Sequence, residues 1–265
     1  MLTLASASGN VFLYAWKAGL EGVCFDGAVW AKRLCPRGHG FGADGLFLMD
    51  APEKHRPWTI EHWDPDGSKS FCSNGTRAAG VLLPQDFQGE LEVCSSGECA
   101  ILDRRKLEVG LRLPEGGDYC LMDAPAGLQF PAAYGWTGTP QLVLQVPDVD
   151  VIDLSTFAPP LRFHPSLPCG ANVSVLQVLS PGQAKIRTWE RGVEGETQCC
   201  GQGAAAAATW LAEQTGLKVW NMQPRGEDAV RVEVGAIEGR HWKALWLRGP
   251  VRVLGEIELG PSLRL

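Results

Sequence analysis

The sequence has no apolar run approaching about 20 residues, so no membrane-spanning helix is expected. Lys and Arg never cluster into a basic stripe. With 24 basic against 30 acidic residues the net charge is −6, which argues against a phosphate-backbone partner and hence against nucleic acid. The opening segment MLTLASASGNVFLYAW lacks the basic start and extended apolar stretch of a secretory signal. A cytoplasmic protein with neither membrane nor nucleic-acid partner is the expectation. No G-K-[ST] phosphate loop occurs, and His39, His55, His62, His164 and His241 show no metal-ligand spacing. Nothing in the order of residues sets a base beside a cysteine, as a Cys-His hydrolase requires.

What is present suits a globular chain: 265 residues, 45% hydrophobic and 20% charged. The nine cysteines are an odd number without a secretion signal, so they do not read as a disulfide framework. Most are expected to be small core hydrophobes. Short β-rich runs dominate, at 11–16, 45–50, 58–63, 106–113, 141–146, 172–179 and 184–189, bounded by turn signals such as DPDG and SPGQ. Helices are expected over 27–35, capped by Asp26, and over 75–83 and 203–215. The class is therefore mixed α and β with strands in the majority, and LPEGGD at 113–118 reads as a hinge. GFGADG at 40–45 fits G-x-G-x-x-G but precedes a strand, the reverse of the dinucleotide-binding order, and reads as a Gly-rich loop. CSSGEC at 94–99 lacks the second pair a metal site needs and reads as a β-hairpin.

The informative signal is internal. TIEHWDPDGSKSFCSNGTRAA begins at Thr59 and KIRTWERGVEGETQCCGQGAAA at Lys185. Both run Ile-x-x-Trp-acid, a Gly-containing turn, then Cys-x-(Asn/Gln)-Gly-x-x-Ala-Ala. The turn alone differs in length, and Cys200 rather than Cys199 aligns with Cys72. Two similar halves, each with one thiol, suggest a pseudo-twofold pair of domains with a cleft between them, and Trp63 and Trp189 then flank that cleft.

Each aligned cysteine sits where a strand hands over to a helix. The first helical N–H groups lack intrahelical partners and the helix dipole adds positive potential, so a thiol there is expected to shift toward thiolate. The same groups favour a substrate carboxylate. Gly75, Gly201 and Gly203 let backbone N–H groups approach a ligand closely. Two thiols with two N–H nests suit proton removal from a carbon beside a carboxylate and proton delivery to its opposite face.

These motifs resemble the diaminopimelate epimerase family, cofactor-independent amino-acid epimerases related to proline racemase. CSNGTR at 72–77 is similar to that family's C-G-N-G-x-R. ERGVEGETQCCGQG at 190–203 is similar to its E-R-G…G-E-T-x-x-C-G-x-G, with one extra residue between Gly192 and Gly195. GNVF, GFGADGLFLM and GPVRVLGEIEL extend the resemblance along the chain. The resemblance implies two domains, each a curved mixed sheet wrapped around a central helix with the active site in the interdomain cleft. Residues 1–116 with a returning strand 253–265 would form one domain and 117–252 the other. It implies Cys72 and Cys200 as the acid/base pair, with Glu190 engaging an ammonium or poising a thiol. The substrate would meet Asn10, Asp64, Ser73, Asn74, Thr139, Asn172, Glu190, Arg191, Gly201 and Gln202, the arginine clamping a carboxylate in two-pronged geometry. No pyridoxal phosphate, metal or nucleotide is implied, and the partners would be a small amino-acid substrate and a second copy in a homodimer.

Four positions bear on how closely the chain follows the family pattern. Asp64 and Thr139 stand where asparagines contact substrate, Gln141 stands for a histidine, and Gly45 stands where some members have glutamine. A carboxylate at 64 only accepts; it repels a second substrate carboxylate and favours a second ammonium. Diaminopimelate is the first substrate choice. The alternatives are a racemase for another amino acid with a cationic side chain, and a thiol redox or binding protein without turnover. A Cys199–Cys200 or Cys72–Cys200 disulfide would be an inactivated oxidised form.

Overall fold

The computed structural model describes all residues except 21, 23, 51–56, 85, 86, 88, 106, 107, 114–119, 168, 239, 240, 243 and 261–265. The hinge expected at 113–118 therefore lies almost wholly outside the described residues. Cα packing separates Met1–Pro114 with Gly249–Leu265 from Glu115–Arg248.

In the first unit, β1 (Leu2–Ala7) and β2 (Asn10–Trp16) form an antiparallel hairpin. Its tip, Ser8–Gly9, has φ of 51° and 85°, the pair of positive values that a tight hairpin with right-twisted strands requires. The helix α1 (Gly27–Leu34) starts where Asp26 accepts from the Val29 N–H at 3.1 Å, as its sequence suggests. It buries Trp30, Ala31 and Leu34 against Leu2, Leu13 and Leu46. Next, β3 (Gly45–Met49) lies parallel to β2, and β4 (Trp58–Trp63) antiparallel to β3. The Gly-rich loop at 40–45 thus leads into a strand, and no helix follows it directly.

The helix α2 (Ser73–Ala79) comes next, then β5 (Gly89–Ser95), β6 (Glu98–Arg105) and β7 (Glu108–Arg112). Residues 251–257 pair antiparallel with β1, and the strand they belong to also pairs with β7. The ring of eight strands closes, leaving no edge between them. Inside it α2 packs on β1, β2 and β7 with all seven residues buried. Its one charged side chain, Arg77, is fully buried; it donates to Ser8 Oγ at 2.7 Å and to the Pro250 carbonyl at 3.4 Å.

The β5–β6 hairpin expected at 94–99 forms, and it carries a disulfide, Cys94–Cys99, that the odd cysteine count had not suggested. The reason is register: the hairpin sets the two residues directly opposite, with Cα atoms 4.0 Å apart. Pairing of this kind follows from strand alignment and not from a framework of bridges.

The second unit contains β8 (Cys120–Met122), β9 (Ala132–Trp136), β10 (Pro140–Gln145), α3 (Leu154–Arg162), β11 (Asn172–Ser180), β12 (Gln183–Glu190), β13 (Gly195–Glu196) and α4 (Gly201–Thr215). These are followed by β14 (Val219–Gln223), β15 (Val230–Val234), β16 (Ile237–Glu238), β17 (His241–Trp242) and β18 (Leu245–Ile257), whose residues from Gly249 onward belong to the first unit. Along β9–β10–β11–β12–β14–β15 the pairings alternate antiparallel and parallel. The run β1–β2–β3–β4–β5–β6 alternates identically. Each half also inserts one helix after its second strand and one after its fourth. The class is mixed α and β, sheet-dominated, with the same topology used twice.

The alanines 204–208 are all buried, and α4 packs against β9, β10, β11, β14 and β15. Small side chains let this helix approach a surrounding sheet closely, and Gly216 ends it at φ 77°. The helix α3 was not expected, because Pro159 and Pro160 sit in its interior and remove two helical donors. Its apolar face decides the outcome: Leu154 and Ala158 are buried with Leu142, Leu144 and Val173. Trp63 is buried in the core of the first unit, and Trp189, half-buried, packs against the core of the second. In the last strand β1 pairs with both Gly255 and Val253 across a register shift, so Leu254 is the extra residue of a β-bulge.

Candidate functional site

Two clusters gather the residues singled out from the sequence, one at the N-terminus of each central helix. In the first unit Cys72 is the N-cap of α2, with φ −117° and ψ 108°, and its Sγ accepts from the Gly75 N–H at 3.4 Å. In the second, Cys200 is the N-cap of α4 with φ −108° and ψ 105°, its Sγ accepting from Gly203 at 3.3 Å. The match extends beneath the helices. A Cβ on Gly75 would strike the Phe47 ring, and one on Gly203 would press on Ser174 Oγ at 3.0 Å and on Gln141 Oε1 and Thr188 Oγ1 at 3.3 Å. Both glycines are needed for close approach. Register makes Phe12, Phe47 and His62 the counterparts of Gln141, Ser174 and Thr188. The floor is aromatic under one thiol and polar under the other.

Around Cys72, Ser73 and Asn74 are buried in the first turn of α2. Asn74 Nδ2 donates to Asn10 Oδ1 at 2.9 Å, and Asn10 Nδ2 donates to Asp44 Oδ2 at 3.3 Å. Asp44 also accepts from the Val11 N–H at 2.9 Å, which fixes the entry to β2. Tyr14 donates to the Gly75 carbonyl at 2.8 Å from beneath. Asp64, just beyond β4, is half-buried; its carboxylate accepts from Ser68 Oγ at 3.4 Å and lies 3.9 Å from His62 Nε2.

Around Cys200 the polar residues form one connected set. Thr139 Oγ1 donates to Gln202 Oε1 at 2.8 Å and accepts from Gln141 Nε2 at 2.7 Å and Asn172 Nδ2 at 3.3 Å. Asn172 Oδ1 in turn accepts from the Arg191 N–H at 2.7 Å. Thr137 ties in the Gln202 carbonyl at 3.1 Å. The Arg191 guanidinium is exposed and donates to the Cys169 carbonyl at 3.0 Å, while Glu190 accepts from Thr197 Oγ1 at 2.9 Å. The network brings together Thr139, Asn172, Gln202 and the backbone of Arg191. Gly201 is the buried first residue of α4.

The electrostatics at Cys200 correct one expectation. A helix N-terminus was expected to draw its thiol toward thiolate, and the Gly203 N–H does act in that direction. Burial and the negative charge of Glu190 outweigh it and hold the Cys200 pKa well above the ordinary thiol value. Cys200 therefore rests protonated, with Glu190 maintaining that state. Removing the charge by Glu190→Gln should lower the thiol pKa, so the pH profile for alkylation of Cys200 by iodoacetamide, read by peptide mass spectrometry, should move to lower pH. An unmoved profile would remove Glu190 from this role.

Sequence reasoning missed Ser174, Thr188, Thr137, Asp44 and His62. Period-two spacing could have found three of them: Ser174 lies two residues after Asn172, Thr188 two before Glu190 and His62 two before Asp64, on the same strand faces. Among the described residues no group of three or more His, Cys, Asp or Glu side chains could hold a metal ion, and no helix is long and apolar enough to cross a membrane.

Comparison with known proteins bears on the same residues. The family described as diaminopimelate epimerase matches residues 134–236, a stretch that holds Thr139, Asn172, Glu190 and Cys200. A diaminopimelate epimerase of Pelotomaculum thermopropionicum is 30% identical over 233 residues, 77% of this chain and 81% of that protein. One from Aquifex aeolicus is 32% identical over 68% of this chain and 67% of its own length. Among solved structures, a phenazine biosynthesis protein of the PhzF family from Bacillus anthracis gives a TM-score of 0.71 at 12% identity, covering 97% of this chain and 98% of that one. A probable proline racemase from Agrobacterium radiobacter gives 0.64 at 14%, covering 98% and 93%. At such identities the structural likeness speaks for the fold alone. Identity of 30% sustained over most of both chains goes further: the chain belongs to the diaminopimelate epimerase family, and is an amino-acid isomerase of the epimerase and racemase kind.

Proposed function

We propose that this isomerase epimerises diaminopimelate at its α-carbon, converting the LL to the meso form with two thiols and no cofactor. The observation that carries the reading is the duplicated N-cap cysteine, a thiol receiving one helical N–H in each unit. In the forward step Cys72 enters as thiolate and takes the α-proton, so a Cα–H bond breaks and an S–H bond forms. Cys200 enters as thiol and delivers its proton to the opposite face of the same carbon. The protonation states are then exchanged, and the reverse reaction runs through the same two groups. Burial and Glu190 favour the protonated Cys200 that this direction needs.

The negative charge developing next to the substrate carboxylate is met by the first-turn backbone amides of α2 and α4, at Ser73, Asn74, Gly201 and Gln202, aimed by their helices. Arg191 supplies a guanidinium for a carboxylate, and Asn10 and Asn172 supply amides for orientation. Incubating the protein with LL-diaminopimelate in D2O tests the reading: deuterium should enter the α-position and the meso isomer should accumulate. Absence of exchange with this and other L-amino acids would sink it. A second reading, a racemase for a different amino acid with a cationic side chain, is favoured by the Asp64 carboxylate in place of a neutral amide. Exchange with such amino acids but not with diaminopimelate would select it.

A further inference from the structure

The turn 191–194, one residue longer than the family motif it resembles, joins β12 to β13. It closes with the Glu194 N–H on the Glu190 carbonyl at 2.8 Å. Glu194 stands at φ 49°, a left-handed conformation uncommon for a residue other than Gly, Asn or Asp. Such a conformation persists where the surroundings over-determine it, and here the side chain supplies the constraint. Its Oε1 accepts from the Gly192 N–H at 3.1 Å, and from Arg162 Nε at 3.2 Å and Nη2 at 3.0 Å. Burial opposes the charge on Glu194, but the Gly192 N–H and the Arg162 guanidinium outweigh it and hold the carboxyl below its usual range.

Arg162 ends α3, and its side chain is only 10% exposed, against 43% for Glu194. The guanidinium also rests on Gly170, where a Cβ would lie 1.9 Å from Nη1. The Arg162 carbonyl accepts from the Ala171 N–H at 3.3 Å. One buried arginine thus braces two segments, the turn 191–194 and the entry to β11 at 169–172. Arg191 spans the same two segments. It sits in the turn, its N–H donates to Asn172 Oδ1 at 2.7 Å, and its guanidinium donates to the Cys169 carbonyl at 3.0 Å. An exposed arginine on a hairpin turn loses much rotamer freedom when a ligand fixes it, and a braced turn reduces that loss.

We propose that Arg162 and Glu194 are positioning residues that hold the Arg191 guanidinium ready for a substrate carboxylate, through the lengthened turn. This rests on the reading of Arg191 as the carboxylate clamp of an amino-acid epimerase. Neither residue touches substrate; both act through Arg191. A carboxylate is held alike before and during proton transfer, so the expected signature is a higher KM with kcat maintained.

The test is calorimetric titration of the full chain with LL-diaminopimelate and with L-lysine, one probe for each substrate reading. Glu194→Ala should weaken the tighter-binding probe at least 10-fold and raise its KM alike, with kcat within about 3-fold. Glu194→Gln keeps an acceptor for Gly192 and Arg162 and should recover most of that loss. Arg162→Met should match Glu194→Ala, and the half-exposed Glu194 keeps the test valid if Arg162→Met fails to fold. In an Arg191→Ala background, Glu194→Ala should change affinity by less than about 2-fold, because nothing is left to position. Unchanged binding in Glu194→Ala overturns the proposal. A 10-fold loss that persists without Arg191 does so too, since the pair would then serve the fold alone. Absence of binding by either probe removes the clamp, and the proposal with it. Deuterium exchange with the same probes separates the two ideas. Binding that depends on Glu194 through Arg191, without exchange, removes the epimerase reading and leaves the positioning role standing. Exchange with a KM indifferent to Glu194→Ala does the reverse.

Discussion

Cys200→Ala should lower α-hydrogen exchange and epimerisation by at least about 10³-fold, and Cys72→Ala should do the same, because each thiol is one half of a proton relay and general acid–base groups contribute about 10²–10⁴-fold. Cys199→Ala should retain activity within about 3-fold. Cys199 is buried beside the site but precedes the cap, and the Gly203 N–H points at Cys200. Exchange by NMR in D2O with all three variants checks this, and comparable losses at 199 and 200 would break the correspondence with Cys72. Each thiol serves one hydrogen, so two losses of similar size are expected where a single nucleophile would give one.

The largest stability effect is expected at Arg77. Arg77→Ala removes a fully buried side chain and its bonds to Ser8 and the Pro250 carbonyl, and should cost about 3–5 kcal/mol in chemical denaturation. Arg77→Met, which keeps most of the volume, should cost about 1–2 kcal/mol. The gap between them measures packing against hydrogen bonding. Similar losses from both would show that the bonds dominate. Neither variant touches a residue assigned to the chemistry.

The cysteine pair and the duplicated topology were legible because Trp63, Cys72 and Gly75 repeat as Trp189, Cys200 and Gly203, and because the strands alternate apolar and polar residues. Features that depend on register were not. That His62 faces Phe47, that Ser174 faces Thr188 and that Cys94 faces Cys99 are facts of cross-strand alignment, which no local pattern carries. The helix α3 stayed hidden because its two prolines outweigh every local signal, while its buried apolar face acts only once the sheet exists. The protonation of Cys200 was misjudged for a related reason. The helix terminus is readable from the sequence, whereas the Glu190 charge beside the thiol is a product of folding.

The closed ring of the first unit has a temporal consequence. It lacks one stave until residues 251–257 arrive, and Arg77 waits on the Pro250 carbonyl for one of its bonds. The other unit, Glu115–Arg248, is contiguous and leaves the ribosome before that stave does. Domains commonly mature in the order of synthesis. Here the half that is made first must finish last, and loss of residues 251–257 would injure a unit whose other strands lie more than a hundred residues earlier.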